Sequence, residues 1–234
     1  FTGLDQDGSE LDQTSEMSFF NPKVGFNYSL NEKTSLYAFA GLGNKEPSRD
    51  DFTESTPNNR PSHESLLDIE LGYRYFSETV SFSANFYNMQ YNNQLILTGE
   101  LNDVGSAVRV NIPDSYRRGL ELTGSFQLMD KLLWRVNATF SENKIAEFNE
   151  FIDNWDTGVK DSVTHTNTNI AFSPSITGGS QLIFTPFNSV ENGKLDLALV
   201  TKYVGDQFID NTSSEYAKLD AYLVNDFRVS YTVK

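Results

Sequence analysis

Leu66-Leu67-Asp68-Ile69-Glu70-Leu71-Gly72-Tyr73-Arg74-Tyr75 is the stretch that decides the fold. In an extended chain successive side chains point to opposite faces. Leu67, Ile69, Leu71, Tyr73 and Tyr75 therefore share one face, and Asp68, Glu70, Gly72 and Arg74 share the other. Three charges in series exclude a packed sandwich interior on that second face. A solvated sandwich exterior accepts them, and so does the water-filled lumen of a membrane barrel.

The connections between strands discriminate between these two. Strands are expected at Phe19–Leu30, Thr34–Gly43, from Leu66, and at Val80–Leu97, Tyr116–Leu128, Leu132–Ile145, Ile170–Phe187, Lys194–Val204 and Leu219–Val233. Phase slips near Tyr87 to Tyr91 and near Asn225 suggest bulges. Tight turns fall at Asn31-Glu32-Lys33, Ser77-Glu78-Thr79, Met129-Asp130-Lys131 and Asn188 to Gly193. Long polar connections fall between them, at 44–65, 98–115, 142–168 and 206–218. Short turns at one end and long loops at the other mark an antiparallel up-and-down transmembrane β-barrel. The fold class is all-β, with about nine strands in view. An odd count with two open edges leaves backbone groups unsatisfied in lipid, so the strands are expected to be a segment of a larger barrel.

Composition agrees. The 234 residues carry 32 acidic against 18 basic side chains, a formal net charge of -14, which excludes the basic face a nucleic-acid binder needs. Eighteen Phe, 11 Tyr and two Trp distinguish the chain from an acidic disordered one. The absence of cysteine removes disulfide frameworks and thiolate metal sites. No run of about 18 apolar residues occurs, which excludes a membrane helix but not a barrel. The N-terminus has no signal-peptide pattern.

Several stretches carry a family resemblance. Asn21-Pro-Lys-Val-Gly25, Ser35-Leu-Tyr-Ala-Phe39, Lys45-Glu-Pro-Ser-Arg-Asp-Asp-Phe52, Glu70-Leu-Gly-Tyr-Arg74, Asn92-Asn-Gln-Leu95 and Tyr116-Arg-Arg-Gly-Leu-Glu-Leu122 resemble, in order and spacing, the TonB-dependent outer-membrane receptors. Asp153-Asn-Trp-Asp156, Phe172-Ser-Pro174, Lys202-Tyr-Val-Gly205 and Leu219-Asp-Ala-Tyr222 look like the Bacteroides-type versions. The resemblance implies a 22-stranded barrel closed by a plug. It makes residues 1–18 an extracellular loop and 19–234 a C-terminal portion of the barrel, with plug, TonB-contact motif and last strands absent.

The resemblance also implies energised uptake of a scarce large solute: a ferric siderophore, haem, cobalamin or an oligosaccharide. The expected partners are outer-membrane lipid, the TonB complex through absent N-terminal regions, the transported solute and a surface lipoprotein. The rival reading is a soluble acidic β-sandwich that binds glycans.

Glu46, Arg49, Asp50 and Trp155 lie in outer loops and are candidates for solute contact, with a solvated ion network as the structural alternative. Asp68, Glu70, Arg74, Arg118, Glu121 and Arg135 are candidates for the lumen wall, Arg117 and Arg118 pairing with carboxylates such as Glu70 or Glu121. Asp153 and Asp156, and separately Asp5, Asp7 and Glu10, are hard oxygen ligands suited to calcium but lack a complete loop motif. His63 and His165 sit in separate loops and do not make a zinc site. No nucleophile elbow or phosphate loop is present, so no enzyme and no cofactor is expected. Tyr75, Phe76, Trp134, Phe187 and Tyr203 suit an aromatic girdle.

Overall fold

A computed structural model describes residues 2–4, 10–12, 14–55, 60–101, 105–154, 158–189, 191 and 193–233. Near the N-terminus β1 (Thr2–Leu4) and β2 (Glu10–Asp12) form a small antiparallel ladder. Then come β3 (Lys23–Asn31), β4 (Thr34–Lys45), the short helix α1 (Arg49–Thr53), β5 (Glu64–Phe76), β6 (Val80–Leu101), β7 (Ala107–Met129), β8 (Leu132–Asn154), β9 (Val159–Asn169), β10 (Ile176–Ser189) and β11 (Gly193–Val204). A two-residue ladder of β12 (Gln207–Phe208) and β13 (Lys218–Leu219) brackets a 3-10 turn, and β14 (Tyr222–Thr232) closes the series.

The main sheet is an antiparallel meander in the order β14-β11-β10-β8-β7-β6-β5-β4-β3. Its ten strands fill nine places. β10 pairs with the lower half of β8, from Phe184↔Leu132 to Ile176↔Phe140, and β9 pairs with the upper half, from Lys144↔Asn169 to Asn154↔Val159. The break between them holds Pro174, which has no N–H for a ladder. Up-and-down order and a count of nine places thus match the sequence reading. A sandwich does not: among the described residues one large sheet is present, and nothing covers its apolar face.

Two of the long connections are largely strand. β6 and β7 run to Leu101 and from Ala107, and β8 and β9 meet between Asn154 and Val159. Their polar composition reads as loop because alternation vanishes when both faces of a hairpin meet water. The ladder bonds that make these segments strands join residues far apart in sequence. The other two connections remain irregular. The first holds α1, whose N-cap Ser48 accepts from the Asp51 amide while the Asp51 side chain accepts from the Ser48 amide, a capping box.

Neither expected bulge is present. The β5–β6 and β6–β7 registers run without a shift through Tyr87 to Tyr91, and β11–β14 runs unbroken through Asn225. What changes at these places is the character of the face. Tyr87, Met89 and Tyr91 stay in phase with Ser81, Ser83 and Asn85, while Asn88 and Gln90 continue the apolar face upward. The β6–β7 ladder instead shifts between Leu97 and Leu101, around Gly99 at φ 83°. A Cβ there would meet the Phe151 carbonyl at 2.8 Å, so the position requires glycine on two counts.

The buried core does not lie under the sheet. Ile96 and Ile112 of one hairpin, Ile145 and Phe148 of the next, and Ile170 form one buried cluster. Ile170 directly follows β9, and the other four belong to the part of the strands above the apolar face. There the β6–β7 and β8–β9 hairpins, which pair with each other only as far as Ser115↔Ile145, lean together. Below that level the sheet is a single layer with both faces open.

Candidate functional site: a two-faced wall with a braced rim

Register assigns every strand residue of the main sheet to a face. On one side runs the row Phe26, Ala38, Leu71, Phe86, Leu120, Phe140, Ile176, each the cross-strand partner of the next. The row below is Tyr28, Leu36, Tyr73, Ala84, Leu122, Ala138, Gly178, Tyr203, Leu223. Phe26, Leu71, Phe86, Phe140 and Leu223 are among the exposed large hydrophobic residues. On β11, Leu195 to Tyr203 covers roughly 27 Å along the strand, or about 20 Å at a barrel tilt, close to the apolar band of an outer-membrane barrel.

The opposite face is polar. Five of the six expected lumen residues lie there together: Asp68 and Glu70 across from Met89 and Tyr87, Arg74 across from Ser83, Glu121 between Asn85 and Thr139, and Arg135 between Ser125 and Gln181. Asn85 Nδ2 donates to Glu70 Oε2 at 3.2 Å. The Arg74 guanidinium carbon stands 4.4 Å from the Tyr37 ring centroid. That ring lies over Gly72, where a Cβ would collide with it.

Arg118 departs from the expected placement. It is in phase with Leu120 and Leu122, so it projects from the apolar side, opposite to Glu121. Its Nε and Nη2 donate to Glu142 Oε2 at 2.9 and 2.6 Å, and it stacks on the Tyr116 ring at 4.7 Å. This pair sits one row above Leu120 and Phe140 and marks where that face stops being apolar. Arg117 is the residue on the polar face, donating to Ser173 Oγ at 2.8 Å, a partner that sequence spacing did not suggest. Phe76 likewise falls on the polar face with Arg74, while Tyr75, Trp134 and Tyr203 fall on the apolar one.

At the upper rim Glu46, Arg49 and Asp50 are exposed, and the last two occupy the solvent side of α1. The residue that works structurally is their neighbour Asp51. It is buried, and its Oδ1 accepts from Arg109 Nη1 of β7 at 3.0 Å. Burial opposes its ionisation, but hydrogen bonds from Ser48 and Arg109 outweigh that and hold its carboxyl below the ordinary range. Asn111 repeats the attachment, accepting from the Ser62 amide at 2.7 Å and donating to the Ser62 carbonyl at 3.0 Å.

The attachment carries a pH signature. A lowered folded value means Asp51 stabilises the rim fully above about pH 4 and loses that contribution as pH falls through the lowered value. Protection of residues 48–55, taken as the exchange rate relative to the intrinsic rate at the same pH, should therefore fall as the pH is lowered below about 4. Asp51→Asn should give the lower protection already at pH 7. Removing only the cap, with Ser48→Ala, is expected to cost about 1 kcal/mol.

The other loops are fixed in the same manner. Asn211 is buried and ties three segments, accepting from Ala171 N at 2.9 Å and donating to Leu97 O at 3.1 Å. His165 lies 2.8 Å from Glu150 and stacks on Phe148, so it is a member of the rim core and not a free loop histidine. Lys218 holds Asp206 at 3.0 Å and keeps its carboxyl below the usual range. Asn211 and His165 give no signal in sequence, because their partners are 40 to 114 and 15 residues away.

Trp155 and Asp156 lie outside the described residues, as do Asp5 and Asp7. Asp153 pairs with Lys160 in the β8–β9 ladder. Among the described residues no group of three or more potential ligands converges on a metal position.

Comparison with known proteins gives this wall a context. A family model described as "TonB dependent receptor-like, beta-barrel" matches residues 2–234. No curated protein matches. Among solved structures, the ferric yersiniabactin uptake receptor of Yersinia pestis is similar at 16% identity and TM-score 0.64, over 91% of this chain and 29% of that one. A copper transporter is similar at 16% identity and TM-score 0.68, over 91% and 31%. The FrpB iron transporter of Neisseria meningitidis is similar at 15% identity and TM-score 0.64, over 97% and 34%. The chain therefore spans about a third of the length of each of these structures, and at such identities the likeness is one of fold.

Proposed function

From the premise that this chain belongs to the TonB dependent receptor-like β-barrel family, whose members are outer-membrane proteins, we propose that it forms part of the wall of an energised uptake receptor. The observation that carries this reading is the register-locked division of one sheet into an exposed apolar face and a charged one. An exposed apolar surface of this extent has no stable place in water. Against lipid it needs no cover, and the charged face then lines the lumen.

On this reading the braced rim is extracellular, residues 1–18 belong to it, and the short turns face the periplasm. The open edges at β3 and β14 take further strands of the same barrel, consistent with a 22-stranded wall in which these residues form a C-terminal portion. The Bacteroides-type motifs support a surface lipoprotein as an additional partner. Of the solutes considered, metal chelates have the support of the neighbours, which are named as ferric siderophore, iron and copper proteins. Glu46, Arg49, Asp50 and Trp155 remain the proposed solute contacts. The wall itself does no chemistry; energy reaches the solute through a plug and the TonB complex.

The test is uptake. Cells carrying the complete receptor should accumulate a labelled ferric chelate only while the inner membrane is energised. Accumulation that continues at the same rate after the proton gradient is collapsed would reject energised transport and leave a passive pore.

A further inference from the structure

The polar face is not uniform. On β5 to β7 it mixes Asp68, Glu70 and Glu121 with Arg74 and Arg117. On β8 to β14 the same face carries Arg135, Lys202 and Arg228 around a cavity of about 830 Å³. No carboxylate lines that cavity, in a chain with 32 acidic residues against 18 basic ones. Its remaining lining supplies neutral donors, among them Ser81, Asn137 and Gln181, and Gly179 keeps its floor low. Asp226 lies on the same face of β14, two residues from Arg228, but does not line the cavity. Asp196, the nearby acid below it, is engaged by Lys194 at 2.7 Å and by Thr185 at 2.6 Å.

We propose that this cavity is an anion-binding station on the inner wall, taking a carboxylate- or phosphate-bearing group of a solute in transit. Three cations line the cavity and no acid does; the carboxylates of Asp130 and Asp196 line the neighbouring pocket with Arg135 and Arg228. Hydroxyl and amide donors complete a shell for oxyanion oxygens. A planar guanidinium on either side, from Arg135 and Arg228, suits bidentate contact with such a group. The inference rests on the lumen assignment above and adds the chemical class of what that lumen handles.

The 234 residues contain no cysteine, so an introduced thiol reports the local potential once the reaction of the complete receptor without it is subtracted. Ser81→Cys in the complete receptor, in membranes, should react about tenfold faster with an anionic methanethiosulfonate than with its cationic counterpart. Arg135→Gln, Lys202→Gln and Arg228→Gln together should bring that ratio to about one. Arg135→Gln alone should lower it part of the way, which keeps the test open if the triple variant is poorly assembled. Citrate should slow the reaction more than sodium chloride at equal ionic strength, in the unsubstituted background only.

A ratio at or below one, or citrate acting no more strongly than chloride, overturns the proposal. So does a Ser81→Cys that reacts with neither reagent while a rim cysteine reacts, because another polypeptide segment then fills the cavity. Leu122→Cys separates the underlying reading from this one: it should be unreactive in lipid. If it reacts as readily as Ser81→Cys, the membrane-wall assignment is what fails.

Discussion

Leu122→Arg is expected to prevent stable assembly of the wall, while Asn85→Arg one strand away is tolerated. Leu122 sits near the middle of the apolar face, between Ala84 and Ala138 in register. A guanidinium there meets hydrocarbon, and near the bilayer midplane the cost is about 2–4 kcal/mol. Asn85 is on the opposite face, hydrogen-bonded to Glu70 and paired across from Glu121. An arginine at that position stands beside Glu70 and Glu121 on the polar face, where its charge is favourable to neutral. The comparison controls for charge and size, so only the face differs. Urea or heat unfolding of the membrane-inserted receptor, read by band shift on a gel, measures both. Equal loss in the two variants would contradict the assignment of faces.

Ile145→Ala is expected to cost about 2–5 kcal/mol, with its effect concentrated in the rim and not in the wall. Ile145 has no exposed surface and stands where β7 and β8 stop pairing and the two hairpins begin to lean together. Removing its methyl groups leaves a cavity among Ile96, Ile112, Phe148 and Ile170. Backbone hydrogen exchange should rise across Leu95–Ile112 and Phe148–His165, while Leu120–Phe126 keeps its protection. The rim then loses its fixed geometry, and solute affinity should fall more than the amount of assembled receptor. Protection lost uniformly over β6 to β9 would instead mean that rim and wall unfold as one unit.

The rim core explains how long loops can be both exposed and ordered. A hairpin with two wet faces is marginal alone. Here the β6–β7 and β8–β9 hairpins share four buried side chains and Ile170 after β9 adds a fifth, Asn211 pins the segment after β11 to β6 and to Ala171, and Asp51 fastens α1 to β7. Much of what looks like loop in the sequence is thereby a small folded layer above the apolar face.

Alternation made the central strands legible. Leu67 to Tyr75 and Leu120 to Leu128 name their own faces, because an apolar face against lipid and a polar face against water give the cleanest possible period of two. The same rule, applied strictly, puts Arg118 with Leu120 and Leu122; its charge alone suggested the lumen. It failed where a face changes character along one strand. Tyr87, Met89 and Tyr91 are apolar on the polar face, and Asn88 and Gln90 are polar on the apolar face, so an unbroken register reads as a slip.

The sequence by itself determined an antiparallel meander, the end at which its long connections lie, and the two faces of its central strands. These depend on side-chain period and turn chemistry, which are local. Only the tertiary structure decided that two of those connections are paired strands around a buried core, that Asp51 and Arg109 lock across 58 residues, and that Arg135, Lys202 and Arg228 surround one cavity. Those features arise from pairing between distant segments, where the energy of an interaction depends on which strand lies beside which, and no local pattern records that.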